Sequence, residues 1–198
     1  MRKILSLVMV GVLFISFNSE LNAQWGKKKK NKTPLELPES FNQELLELRY
    51  EEIVQLDQDI SKQEIFDKLE RFIIYNYKSP DDVIQKNDRE NAIIITKGLL
   101  PYTYRLLGVP RDTNAVHILD LRAKDNKYKI TISGLGSKRY DETYGLFESN
   151  YRDMEGRKFN KVQLREMKDQ DKAYKELIIK IQEFILDDIN VRSGDSDW

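Results

Sequence analysis

The sequence predicts an α+β domain over residues 41–190, an antiparallel sheet of four or five strands with two helices packed on one side. Three observations lead there. A segment with a capping box and an unbroken apolar stripe comes first, from Ser61 onward. A β-ribbon whose turn chemistry and side-chain alternation agree in register follows at 115–134. A long amphipathic helix closes the domain after Asn160.

The first 23 residues stand apart. Arg2 and Lys3 precede an apolar run from Ile4 to Phe17, and Ala23 stands before Gln24, the layout of a secretory signal. That run falls short of the ~20 residues a membrane span needs, so no transmembrane segment is expected once the signal is removed. None of the 198 residues is cysteine. An acylated anchor and a disulfide framework are therefore both excluded, and stability has to come from a core. Export to the periplasm or outer membrane of a Gram-negative bacterium, or release from it, is the expected destination. Removing Arg2, Lys3 and Glu20 with the signal leaves 31 basic and 32 acidic residues, a net charge of −1. A nucleic-acid binder would carry a strongly basic footprint, so none is expected as partner.

"WGKKKKNKTPLELPES" has lysines, two prolines and no apolar period, and residues 24–40 read as a flexible leader. Tyr50–Leu56 is the first expected strand. In "ISKQEIFDKLERFIIYNY" Ser61 and Glu64 form the capping box, and Ile60 and Ile65 occupy the staple positions. Ile65, Leu69, Phe72, Ile73 and Tyr77 share a helical face, which ends before Pro80. "DVIQKND" and "NAIIITKG" predict a hairpin around Asp88–Asn91. "LLPYTYRLLGVPRDTN", with two prolines, reads as a connection that packs somewhere.

In "AVHILDLRAKDNKYKITISG" the turn Asp125–Asn126 sets the register. Lys124 faces Lys127, Ala123 faces Tyr128, Leu121 faces Ile130 and Leu119 faces Ile132. The alternate pairs are Arg122 with Lys129, Asp120 with Thr131 and Ile118 with Ser133. One face is apolar and the other largely polar. "SGLGSKRYDETYG" then reads as a loop leaving the strand. Asn160 and Gln163 cap the last helix, whose Tyr174, Leu177, Ile178, Ile181, Ile185 and Ile189 form one stripe. Residues 191–198 are expected to be a disordered tail.

The stretch from Asp59 to Gly98, with "SPDDVIQ" and "IIITKG", together with "VHILDLRAKDNKYKITISGL", resembles a family of uncharacterised exported bacterial domains of TATA-binding-protein-like fold. The resemblance spans about residues 50–140 and implies a curved antiparallel sheet in the order β-α-β-β-β-β-α, with the helices on one face. It implies no activity and no site residues. Asn126 stands where many members carry glycine, which leaves the turn intact.

Chemistry is sparse. Gly134, Gly136, Ser137 and Lys138 do not match a phosphate-binding loop: the spacing differs, and Arg139 follows the lysine where Ser or Thr is needed. A nucleophilic triad would depend on His117, the single histidine, placed mid-strand. One histidine and no cysteine make a zinc site implausible, and no cofactor is expected. The adjacent carboxylates Asp81–Asp82, Asp141–Glu142 and Asp187–Asp188 would serve a hydrolase only if two carboxyls faced each other across a cleft. What remains is surface: Asp120, Arg122, Lys129 and Thr131 on the polar face of the ribbon, and Lys138, Arg139, Tyr140 and Tyr144 after it. Arginine and tyrosine are side chains that interfaces favour. The expectation is a non-enzymatic binding domain of the cell envelope, with an envelope protein or glycan as partner. An envelope hydrolase and a dimer-forming scaffold are the alternatives.

Overall fold

The structure, a computed structural model, describes residues 36–106, 108–141 and 145–194. The expected signal at 1–23, the leader up to residue 35, Tyr144 and residues 195–198 lie outside them. The elements are β1 (Phe41–Asn42), β2 (Glu47–Gln55), α1 (Lys62–Asn76), α2 (Pro80–Val83), β3 (Ile84–Asp88), β4 (Ile93–Leu106), β5 (Val109–Lys124), β6 (Lys127–Asp141), β7 (Gly145–Asn150), a 3-10 turn at Tyr151–Met154, and α3 (Lys161–Gly194). All strand pairs are antiparallel. The sheet runs β1-β2-β6-β5-β4-β3, with β7 also on β6. The expected strand–helix–four strands–helix order is present. The sheet has seven strands rather than four or five, because β1 and β7 are added to it.

Local signals act where the sequence places them. The Ser61 hydroxyl accepts from the Glu64 N–H at 3.3 Å, and Ile60 and Ile65 are both buried. Ile65, Leu69, Phe72 and Ile73 are buried in the core, and Tyr77 caps the helix. Pro80 begins α2 at the first helical position, where its missing N–H costs nothing. Asn160 accepts from the N–H groups of Val162 and Gln163, while the Gln163 side chain accepts from the Asn160 N–H, a reciprocal cap for α3. Tyr174, Leu177, Ile178, Ile181 and Ile185 are buried along α3. Helix α3 continues to Gly194, four residues into the segment expected as tail. Leu37 packs on the core and the Ser40 hydroxyl donates to Asp171 of α3, so this end of the expected leader is tied to the domain.

The β5–β6 ribbon has the expected register at every pair from Lys124↔Lys127 to Ile118↔Ser133. Leu119, Leu121, Ile130 and Ile132 are fully buried. Asn126 takes the left-handed turn position, with φ of +62°. Its side chain accepts from the Ile60 N–H at 2.8 Å, and the Asp125 carboxylate accepts from the Lys62 N–H at 2.8 Å. The turn thus also fixes the approach to α1.

Two expectations are corrected. "LLPYTYRLLGVPRDTN" is not a connection: β4 and β5 extend as a two-stranded arm to Leu106↔Val109. Strand β3 reaches only Thr96 on one side, and β6 only Asn114 on the other. Pro101 and Pro110 therefore lie where each strand has a single strand neighbour, the setting in which a strand tolerates proline. Nor is "SGLGSKRYDETYG" a loop: β6 continues through Asp141 and pairs with β7. Leu135 is bulged out between the pairs Val116↔Gly136 and His117↔Gly134. Before the bulge the inward residues are even-numbered (128, 130, 132, 134); after it Ser137 is buried. At Gly136, φ is +147° and a Cβ would lie 1.8 Å from the Ser149 carbonyl oxygen. This glycine serves backbone packing.

Asn126→Ala removes the bond to Ile60 and forces alanine into the left-handed region, so it is expected to cost about 2 kcal/mol in urea unfolding. Asn126→Gly, which loses only the side-chain bond, should cost less. Equal stability of Asn126→Ala and the parent would contradict this account of the turn.

Candidate functional site

The two faces of the sheet differ. On the helix side, Gly98, His117 and Gly134 form one row across β4, β5 and β6. A Cβ at Gly98 would lie 2.5 Å from the Tyr77 ring, and one at Gly134 would lie 2.5 Å from the Tyr174 ring. The two glycines leave room for tyrosines from the end of α1 and from α3, which flank the imidazole at ring centroid distances of 6.0 and 5.9 Å. His117 is 0% exposed and shares a 2.7 Å hydrogen bond from Nε2 to the Tyr77 hydroxyl. Burial pushes its imidazole down to about 4, against a weak opposing contact with the Ala115 carbonyl. A buried neutral ring between two tyrosines is a packing element. Further along, Gln170 donates to the Tyr102 hydroxyl at 2.8 Å and accepts from the Tyr151 hydroxyl at 2.6 Å, while Tyr102 donates to Glu166. These bonds satisfy buried polar groups under the arm.

Neither α1 nor α3 packs on the other face, and its side chains fall in rows set by the register. One row is Ile53, Lys129, Arg122 and Ile93; the next is Glu51, Thr131, Asp120 and Ile95; a third is Arg49, Ser133, Ile118 and Lys97. Arg122 donates to Asp120 through two nitrogens, at 2.9 and 2.7 Å. Lys129 donates to Glu51 at 2.8 Å, and Arg49 bridges Glu51 to Glu47. Lys129 first, then Arg49, hold the Glu51 carboxyl below its usual range. Ile53 is 68% exposed and Leu99 46%.

The expected site residues divide between the two ends of this sheet. Asp120, Arg122, Lys129 and Thr131 are contiguous. Lys138 pairs with Asn114, eight residues from Arg122 along β5, or roughly 25 Å in an extended strand. Arg139 and Tyr140 continue β6 opposite Phe147 and Leu146. The seven of these residues that the structure describes therefore form no single patch; Tyr144 lies outside the described residues.

Residues 50–138 match the family model described as a domain of unknown function (DUF4468) with TBP-like fold. The resemblance to an uncharacterised family of this fold is thereby shown. The chain is similar in structure to a TBP-like protein from Parabacteroides distasonis, with a TM-score of 0.58 and 15% identity over 75% of this chain and 98% of that one. It is also similar to a DUF4468 family protein from Bacteroides ovatus, with a TM-score of 0.52 and 9% identity over 75% and 92%. At such identities the likeness shows the fold alone. No curated protein matches the chain.

The DUF4468 match spans the row through His117 and the two open-face rows through Ile53 and Glu51, while Glu47 and Arg49 lie just before it. Sequence reasoning missed Glu51, Ile53 and Leu99 on that face. Alternation in "YEEIVQ" already separated Glu51 and Ile53 from Tyr50 and Val54. The missing signal was that this strand pairs with β6, some 80 positions away. Of the adjacent carboxylates, Asp81 and Asp82 lie in the first turn of α2, Asp187 and Asp188 in α3, and Asp141 ends β6; Glu142 lies outside the described residues. Among the described residues no group of His, Asp and Glu could hold a metal ion, and no helix is long and apolar enough to cross a membrane.

His117 sets a pH dependence. The unfolded imidazole takes a proton below about 6.5, whereas the folded one resists until about 4, so stability falls as the pH drops through that window. The loss should reach about 3 kcal/mol in urea unfolding. His117→Gln should flatten that slope, and an unchanged slope would contradict the assignment.

Proposed function

We propose that this chain is an exported binding domain of the bacterial cell envelope, without catalysis of its own, that docks an envelope protein or glycan on the sheet face opposite α1 and α3. One observation carries the reading: one sheet face is consumed by α1 and α3, while the other keeps Ile53 and Leu99 exposed beside side chains held in place by ion pairs. Exposed ion pairs contribute little to stability, so their linking of one row to the next across this face points to recognition rather than to folding. The signal-like N-terminus supports export. The open-face carboxylates Asp120 and Glu51 are occupied by Arg122, Lys129 and Arg49, an arrangement suited to charge complementarity more than to proton transfer.

A photo-crosslinking residue introduced at Ile53, Leu99 or Ile118 should capture an envelope component in living cells. The same residue at Lys172, exposed on α3, should capture none. Arg122→Glu/Lys129→Glu should abolish the adduct from position 118. Equal capture from both faces, or adducts indifferent to charge reversal, would sink the proposal.

A further inference from the structure

We infer that the tip of the β5–β6 ribbon is the docking surface for an acidic segment of a partner protein. The inference rests on the binding reading above and names the chemistry of the partner. Lys124 faces Lys127 across the ribbon and Arg122 faces Lys129 one step back, all four on the open face. Like charges directly opposite one another on neighbouring strands oppose pairing, so this block of cations works against the hairpin that carries it. Acids accompany half of it: Asp120 takes Arg122 and Glu51 takes Lys129. Among the described residues, Lys124 and Lys127 have no anionic partner.

The block does not stand alone. Lys124, Lys127, Arg122 and Lys129 surround a hollow of about 320 Å³ that Tyr128 and Ile53 also line, the latter the most exposed aliphatic side chain of the face. A hollow of that size accepts side chains. Charge order along the strands selects the kind of anion. Beyond the basic row lies the Glu51–Thr131–Asp120 row, one pair of residues or roughly 7 Å further on. A uniformly anionic membrane plane laid across the tip would bring its charge against these two carboxylates. A peptide places carboxylates over Lys124 and Lys127 and an apolar residue on Ile53, and it can end or change sign before the acidic row. Repulsion from the second row thus selects against a sheet of like charge while the first row attracts.

The test uses the mature chain and a short fluorescent peptide of alternating Glu and Val, a Lys and Val counterpart, and phosphatidylglycerol vesicles. The Glu–Val peptide should bind, weaken at high salt, and lose about tenfold or more in affinity with Lys124→Glu/Lys127→Glu. Lys124→Ala/Lys127→Ala should lose affinity too, while melting no lower than the parent because a like-charge pair has been removed. Binding of the Lys–Val peptide equal to that of Glu–Val, or binding unchanged in both variants, would overturn the inference. Lysine-dependent binding to the vesicles but not to the peptide would overturn it in favour of a membrane. If the peptide fails while crosslinks from Leu99 and Ile118 persist in Lys124→Glu/Lys127→Glu, the open-face reading stands and the acidic segment falls.

Discussion

Gly98, His117 and Gly134, side by side on three central strands, hold the two layers of this domain together. Removing the side chain on either side of a buried histidine leaves two slots. Tyr77 from the end of α1 occupies one and Tyr174 from the middle of α3 the other. The Tyr174 hydroxyl donates to the Val116 carbonyl beside the bulge, so the helix is bonded to the sheet where β6 changes its facing. Phe72 and Phe184 then meet edge to face at 5.6 Å between α1 and α3. Close-packed interiors leave few alternatives to such an arrangement, since any added methyl has to displace a ring. With α1 and α3 committed to this face, neither covers the opposite one.

The Leu135 bulge has a second consequence. Strand β6 uses the same edge twice, for β2 before the bulge and for β7 after it. The residue set that faces the helices changes parity at that point, which puts Ser137 inside beside the Tyr102–Gln170–Tyr151 bonds. The basic residues that follow in the chain belong to the far end of the sheet. A surface that looks continuous along the sequence from Asp120 to Tyr140 is thus divided by geometry.

On the open face, charge is ordered rather than merely balanced. Glu47, Arg49, Glu51 and Lys129 form a continuous chain of ion pairs across two strands, and Arg122 with Asp120 forms a second group beside it. In water such pairs stabilise a fold only weakly. They do hold long side chains in one geometry and set the sign of the surface from row to row, which is how a surface discriminates among partners. The cationic tip departs from balance, and there the interest of the ribbon shifts from folding to recognition.

What the sequence determined by itself is local. The caps at Ser61 and Asn160, the end of α1 before Pro80, and the ribbon register from Lys124 to Ile118 could each be read from a few neighbouring residues. A cap or a two-residue turn is satisfied within that distance, and alternation fixes the inward side of a strand once its turn is known. Tertiary structure decided the rest. The 101–110 arm looked like a connection because its prolines are allowed only by the absence of a second strand on each side. The glycines of "SGLGS" looked like a loop because their partners, the Tyr174 ring and the Ser149 carbonyl, lie far along the chain. Ile53 joined the surface only because β2 pairs with β6, a choice that burial across the whole sheet makes and that no stretch of nine residues contains.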